Sequence, residues 1–147
     1  PSMNSNSFEP DIVVDGHNCI LGRVATQVAK LSLSGNKIAI INAEHVIMTG
    51  SKTDIFARFQ KRSEIGSDSG PYYPKRPDRI VKRAIRGMLP YKRAKGRDAF
   101  ERIRVYVGNP FEVEGEVLPN TSLENPSAIR FVEIGEISEK LGAKITW

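Results

Sequence analysis

At 147 residues the chain is long enough for one hydrophobic core and short for two, and its 39% apolar and 27% charged residues are ordinary for a globular protein. No apolar run approaches the roughly 20 residues of a membrane-crossing helix, and the single cysteine, Cys19, leaves no internal disulfide and no Cys/His metal spacing. The net charge of +5 is unevenly placed: residues 52–104 hold 16 Lys/Arg against 6 Asp/Glu, residues 1–51 hold 3 against 4, and residues 105–147 hold 3 against 7. Solubility needs no such clustering, so a cationic middle between mildly acidic flanks points to a polyanionic partner.

Residues 1–7 have neither a basic segment nor an apolar stretch, so no secretory signal is expected, and 1–10 read as a flexible lead-in. Ile12-Val13-Val14 before Asp15-Gly16 is a β-branched run closed by a turn pair, hence a strand. Leu21, Val24, Ala25, Val28 and Leu31 recur at helical spacing until Ser34-Gly35-Asn36 stops them. Ile38-Ala39-Ile40-Ile41 is a strand apolar on both faces, as a sheet buried between helix layers requires. This strand–helix–strand unit closes naturally as a parallel crossover.

Residues 52–64 read as a helix with Ile55, Phe56 and Phe59 on one side and Arg58, Lys61 and Arg62 on another. Residues 65–76 form a loop, Pro77-Asp78 opens a helix, and Gly87 with Pro90 closes it. A short helical turn at 99–102, entered after Gly96, leads into a third strand over 103–107. Residues 111–128 read as a surface excursion, 129–134 as a fourth strand and 135–141 as a short helix. The expected fold class is α/β: one three-layer α/β/α domain over 1–147, with a mainly parallel sheet of about four strands and basic loop extensions at 65–77 and 91–97.

The helix after Pro77 carries the clearest chemistry. Val81, Ala84, Ile85 and Met88 make an apolar stripe, and Arg79, Lys82, Arg83 and Arg86 occupy the opposing side. Phosphates relieve such a self-repelling face, with release of counterions. The basic loop that follows supplies Lys92, Arg93, Lys95 and Arg97. Before the helix, a proline-stiffened segment presents Tyr72 and Tyr73 for stacking and Lys75 and Arg76 for phosphate. Either tyrosine could instead pack on the domain. Lys52, Arg58, Lys61 and Arg62 extend the basic surface. Arg23, opening the first helix, either adds a contact or covers apolar surface with its stem. Met88 and Leu89 are expected to anchor the basic segment to the core.

Enzyme readings fare poorly. Thr49-Gly50-Ser51-Lys52-Thr53 lacks the first glycine of a phosphate loop and has no glycine directly before Lys52. His17 and His45 lie in no triad-like or metal-like pattern, and Glu112, Glu114 and Glu116 alternate with apolar residues as an exposed strand or loop does. No nucleophile, base and orienting group come together. The readings left standing beside a structural RNA-binding protein are an RNA- or nucleotide-processing α/β enzyme with a basic substrate groove and a free-standing regulatory RNA binder.

Several blocks resemble one family. Leu21-Gly22-Arg23-Val24-Ala25, then Ile41-Asn42-Ala43-Glu44 with Thr49-Gly50, Arg86-Gly87-Met88-Leu89-Pro90 and Val105-Tyr106-Val107-Gly108 are similar, in order, to motifs of the universal L-thirteen family of large-subunit ribosomal proteins. Tyr73-Pro74-Lys75-Arg76-Pro77-Asp78 and Leu89-Pro90-Tyr91-Lys92 resemble its archaeal or eukaryotic branch. The resemblance implies an α/β domain bound to large-subunit ribosomal RNA, a role in subunit assembly, neighbouring ribosomal proteins as partners and a cytoplasmic location in ribosomes. It implies no catalytic residues, cofactor, metal, membrane or small-molecule substrate.

Overall fold

The computed structural model describes residues 8–64, 74–111, 113–123 and 129–147. In chain order the elements begin with β1 (Ile12–Asp15), α1 (Leu21–Leu33), β2 (Ile38–Ile41), a 3-10 turn at Ala43–His45, β3 (Ile47–Thr49) and α2 (Lys52–Glu64). They continue with α3 (Pro77–Arg86), α4 (Ala94–Glu101), β4 (Ile103–Val105), β5 (Phe131–Glu133) and α5 (Ile134–Lys140).

The mixed α/β fold with a mainly parallel sheet follows the expectation. β1 and β2 pair in parallel, Ile12 opposite Ile38 and Asp15 opposite Ile41, and β4 joins β2 on its other side, also in parallel. All four residues of β2 are buried and all are apolar, which suits an inner strand covered on both faces. The predicted fourth strand forms, but it does not extend this sheet. β5 pairs antiparallel with β3, which the sequence reading missed, in a separate two-stranded ribbon. Burial of Ile47 and Val132 holds that ribbon on the core. The Ile47 N–H donates to the Cys19 carbonyl at 2.9 Å and the Ile134 N–H to the Val46 carbonyl at 2.7 Å.

One continuous apolar cluster joins the sheet to α1 through α5, with Ala99 as the buried member from α4. α1 contributes Val24, Ala25 and Val28, α2 Ile55 and Phe59, α3 Ile80, Val81 and Ile85, and α5 Ile134 and Ile137. α1 ends where Gly35 takes φ +104°, a backbone state that L side chains rarely adopt. Its last turn is clasped to α4: the Ser32 hydroxyl donates to the Ala99 carbonyl, and the Arg102 guanidinium donates to the Ser32 carbonyl at 2.9 Å.

Three expectations need correction. The 91–97 stretch is not a loop throughout, because α4 begins at Ala94, with Arg93 as its N-cap residue. Gly96 is no helix entry point but a close approach: a Cβ there would lie 2.0 Å from the Pro90 carbonyl oxygen. Residues 111–128 are a surface excursion only in part. The backbone of Glu116 brackets β1 through bonds with Val13 and Asp15, and Leu118, Thr121 and Leu123 are buried against the loop before α1. Residues 112 and 124–128 lie outside the described residues.

Gly87 closes α3 as expected, as its C-cap residue, with an ordinary φ of −66° in place of the left-handed state common at helix ends. The exit is tightened instead by bonds from the Met88 N–H to the Ile85 carbonyl at 2.9 Å and from the Leu89 N–H to the Arg86 carbonyl at 3.2 Å. The two residues expected to anchor this segment divide: Leu89 is 6% exposed, whereas Met88 is 43% exposed. Leu89→Ala is therefore expected to cost about 2–4 kcal/mol and Met88→Ala under about 1 kcal/mol. Urea denaturation of the two variants checks this, and equal losses would contradict it.

Candidate nucleic-acid interface

α3 is the ridge of the basic surface. Pro77 occupies its first turn, where a missing N–H costs nothing, and Asp78 complements the helix dipole. Pro77, Ile80, Val81 and Ile85 face inward. Ile80 belongs to the buried stripe although the sequence reading omitted it, and Ala84 is only half-buried. Arg79, Arg83 and Arg86 are exposed and Lys82 is half-buried.

Three concavities lie along this ridge. The first, of about 270 Å³, is lined by Arg79, Lys82, Arg83 and Arg86, with Tyr91 and Phe100 as aromatic wall. The Arg86 guanidinium lies 4.2 Å from the centre of the Tyr91 ring, and the Lys82 ammonium 4.9 Å from that of Phe100. These rings hold the cations on one side without neutralising them. The second, of about 490 Å³, combines Lys75, Arg76 and Arg79 with Lys144 from the C-terminal tail. The third, of about 240 Å³, sets Arg83 beside Arg58 and Arg62 of α2. Arg79 and Arg83 each serve two concavities, so the cations of α2, α3, the segment before α3 and the tail form one continuous surface. Among the described residues no carboxylate lies within 4 Å of Arg79 or Arg86.

The other predicted contacts are placed differently. Arg76 donates to the Asp78 carboxylate at 3.2 Å, and Lys52 lies 3.7 Å from Glu136, so both are partly neutralised. Lys61 is exposed on α2, and Lys92, Arg93 and Lys95 are exposed around the start of α4. The Arg97 guanidinium folds back to the carbonyls of Lys92 at 3.0 Å and Tyr91 at 3.5 Å, where it clasps the turn. Arg23 reaches the Asn120 carbonyl at 3.5 Å, a role neither alternative anticipated. Tyr72 and Tyr73 lie outside the described residues.

Two cations were missed. Lys144 joins from the far end of the chain, and no local pattern signals that. Arg104 is exposed on β4 next to buried Ile103, an alternation that could have marked it. Its charge is felt by Lys82, whose ammonium is held below the usual lysine range chiefly by burial, then by Arg104, with Asp78 opposing.

The two histidines do not make a catalytic or metal group. Their rings lie 4.9 Å apart, and His45 Nδ1 is 3.1 Å from a Glu133 carboxylate oxygen, tying the 3-10 turn to β5. No metal-holding cluster occurs among the described residues. Burial pushes the Cys19 thiol up, against the polarity a nucleophile needs.

The ribosomal protein L13 family matches residues 9–112, which takes in β1 through β4 and the whole α3 ridge. The chain belongs to this family. A protein named large ribosomal subunit protein uL13 from Natronomonas pharaonis is 57% identical over 145 residues, covering 99% of this chain and 100% of that protein. Proteins of the same name from Halobacterium salinarum and Methanosarcina barkeri are 54% and 47% identical, over 99% and 90% of this chain and 100% and 98% of theirs. These archaeal relatives fit the branch that the Tyr73–Asp78 segment suggested. The L13 family consists of ribosomal structural proteins, and this chain is not an enzyme.

Within this L13 fold, Lys82 is a place where charge is costly to hold. Unfolding returns its ammonium to the ordinary range, so just below that range the unfolded chain binds more protons and stability climbs as pH rises. Lys82→Met keeps the stem and removes the charge. The variant is expected to lose that climb and to melt a few degrees above the parent at neutral pH, as calorimetry across pH would show. A lower melting temperature would mean that the Phe100 and Asp78 contacts outweigh the burial cost.

Proposed function

We propose that this chain is a structural constituent of the large ribosomal subunit and binds large-subunit ribosomal RNA through the α3 ridge and its flanks, helping the subunit to assemble. The observation that carries the reading is the joining of cations from α2, α3, the segment before α3 and the tail into one surface, in a chain whose near-full-length relatives bear the large-subunit name.

The whole of residues 1–147 acts as one ribosomal-protein domain. The packed helices and sheet hold Lys75, Arg76, Arg79, Lys82, Arg83, Arg86, Arg58 and Arg62 at fixed spacing, so a folded RNA is met by a pattern of charges. Phosphate contacts of this kind set register and orientation. Lys52, Lys61, Lys92, Arg93 and Lys95 extend the contact outward, with Tyr72 and Tyr73 available for stacking. Arg23 and Arg97 contribute by holding the surface in shape. Neighbouring ribosomal proteins are the other partners, and the chain works in cytoplasmic ribosomes. Among the described residues no helix is long and apolar enough to cross a membrane.

In a sucrose gradient the chain should travel with large subunits and leave them only at high salt. For isolated RNA fragments of the large subunit, reversing Arg79, Lys82, Arg83 and Arg86 to Glu should flatten the dependence of log K on log salt by roughly one unit for each phosphate that the variant no longer neutralises. A chain that stays at the top of the gradient in low salt would overturn the ribosomal reading.

A further inference from the structure

Beside the cationic grooves lies a pocket of different chemistry. It has a volume of about 270 Å³ and is lined by Ile20, Leu21 and Gly22 before and at the start of α1, Met48 and Thr49 of β3, Arg58 of α2, and Ala84 and Met88 at the end of α3. Most of the lining is apolar, with one guanidinium and one hydroxyl at its margin. Leu21, Met48, Arg58 and Ala84 also line the groove that holds Arg62 and Arg83, so the pocket opens off the basic surface.

Two features suggest that the pocket is kept open. Met88 is 43% exposed, and its sulfur lies 3.2 Å from the Thr26 hydroxyl, which itself reaches the Gly22 carbonyl at 2.8 Å. Gly22 itself has no packing or backbone explanation. Among the described glycines it alone combines an ordinary φ with nothing within 4 Å of where a Cβ would sit. Glycine inside a helix gives up conformational entropy for no contact. Gly22 lines the pocket, and a side chain built there would stand in open space at that wall.

We propose that this pocket receives one unstacked base of the bound RNA. The inference rests on the RNA-binding reading above and adds base recognition to it, where phosphate contacts alone give register. Phosphates on either side of the extruded nucleotide would meet Arg58, Arg62 and Arg83, which makes a nucleotide a better fit than an uncharged occupant. The Met48 and Met88 thioethers are polarizable partners for a flat ring, and the Arg58 guanidinium can stack on its face or bond its edge. The volume is below the roughly 300–1,000 Å³ of drug-sized sites, the scale of a single ring system.

The test uses the full chain and three RNA hairpins matched in phosphate number: one with a single bulged nucleotide, one with an abasic residue in its place, and one fully paired. Affinities are read by fluorescence anisotropy at fixed salt, with each of the four bases in the bulge. At least one bulged hairpin should bind roughly fivefold or more tightly than its abasic counterpart. Filling the mouth with Gly22→Leu, or with Gly22→Gln should leucine disturb the helix, should remove that preference and leave affinity for the paired hairpin unchanged. No preference for any base, or a preference that the filled variants keep, overturns the proposal and leaves the pocket to an apolar side chain of a protein neighbour. Failure to bind even the paired hairpin at low salt is a separate result, which overturns the RNA-binding reading and this proposal together.

Discussion

The outward face of α3 places Arg79 one turn from Lys82 and Arg83, and Arg86 one turn from both of those. Like charges at such spacing oppose an isolated helix by roughly 0.2–0.5 kcal/mol per pair, so the four pairs together cost on the order of 1–2 kcal/mol. Beneath them Ile80, Val81 and Ile85 are buried to within 1%, and full burial of such side chains contributes about 1.5–3 kcal/mol each. The burial wins by a wide margin. The helix therefore exists because of the core below it, and every concavity along it inherits its shape from that packing.

This dependence explains how much of the protein could be read in the sequence. Elements that bury a regular apolar pattern were legible: β1, α1, β2, α2 and α3 all appear within a few residues of their predicted spans. What failed depended on tertiary packing that no local periodicity reports. β3 is three residues, Ile47-Met48-Thr49, with no period of its own, and it is a strand because residues 131–133 lie beside it. Gly96 carried the statistical mark of a break, whereas its real role is to let α4 approach the Pro90 carbonyl. Residues 118–123 look like polar loop, yet Thr121 is buried with its hydroxyl donated to the Leu118 carbonyl at 2.7 Å.

The candidate site shows the same division. The cations of α3 were legible because helical spacing sorts them from the apolar stripe. Their grouping with Arg58 and Arg62, and with Lys144, was not, because it is set by how α2 and the tail pack. Several predicted contacts also proved to have internal work: Arg97 clasps a turn, Arg23 reaches the 118–123 segment, and Arg76 shares Asp78. Of these, only Arg76 meets a carboxylate; Arg97 and Arg23 keep their charge but are held by backbone carbonyls.

Lys82 shows which way the balance was drawn. Its half-buried ammonium is held below its ordinary range by desolvation and by Arg104, so the charge is a burden on the free fold. A lysine is understandable if the free chain is not the working state, since phosphate beside Lys82 would restore what burial removed and offset Arg104 at once. The same holds for Gly22, whose openness brings the helix nothing by itself. On the proposed RNA-binding reading both residues gain a physical role once the basic face is occupied, which the free fold alone does not give them.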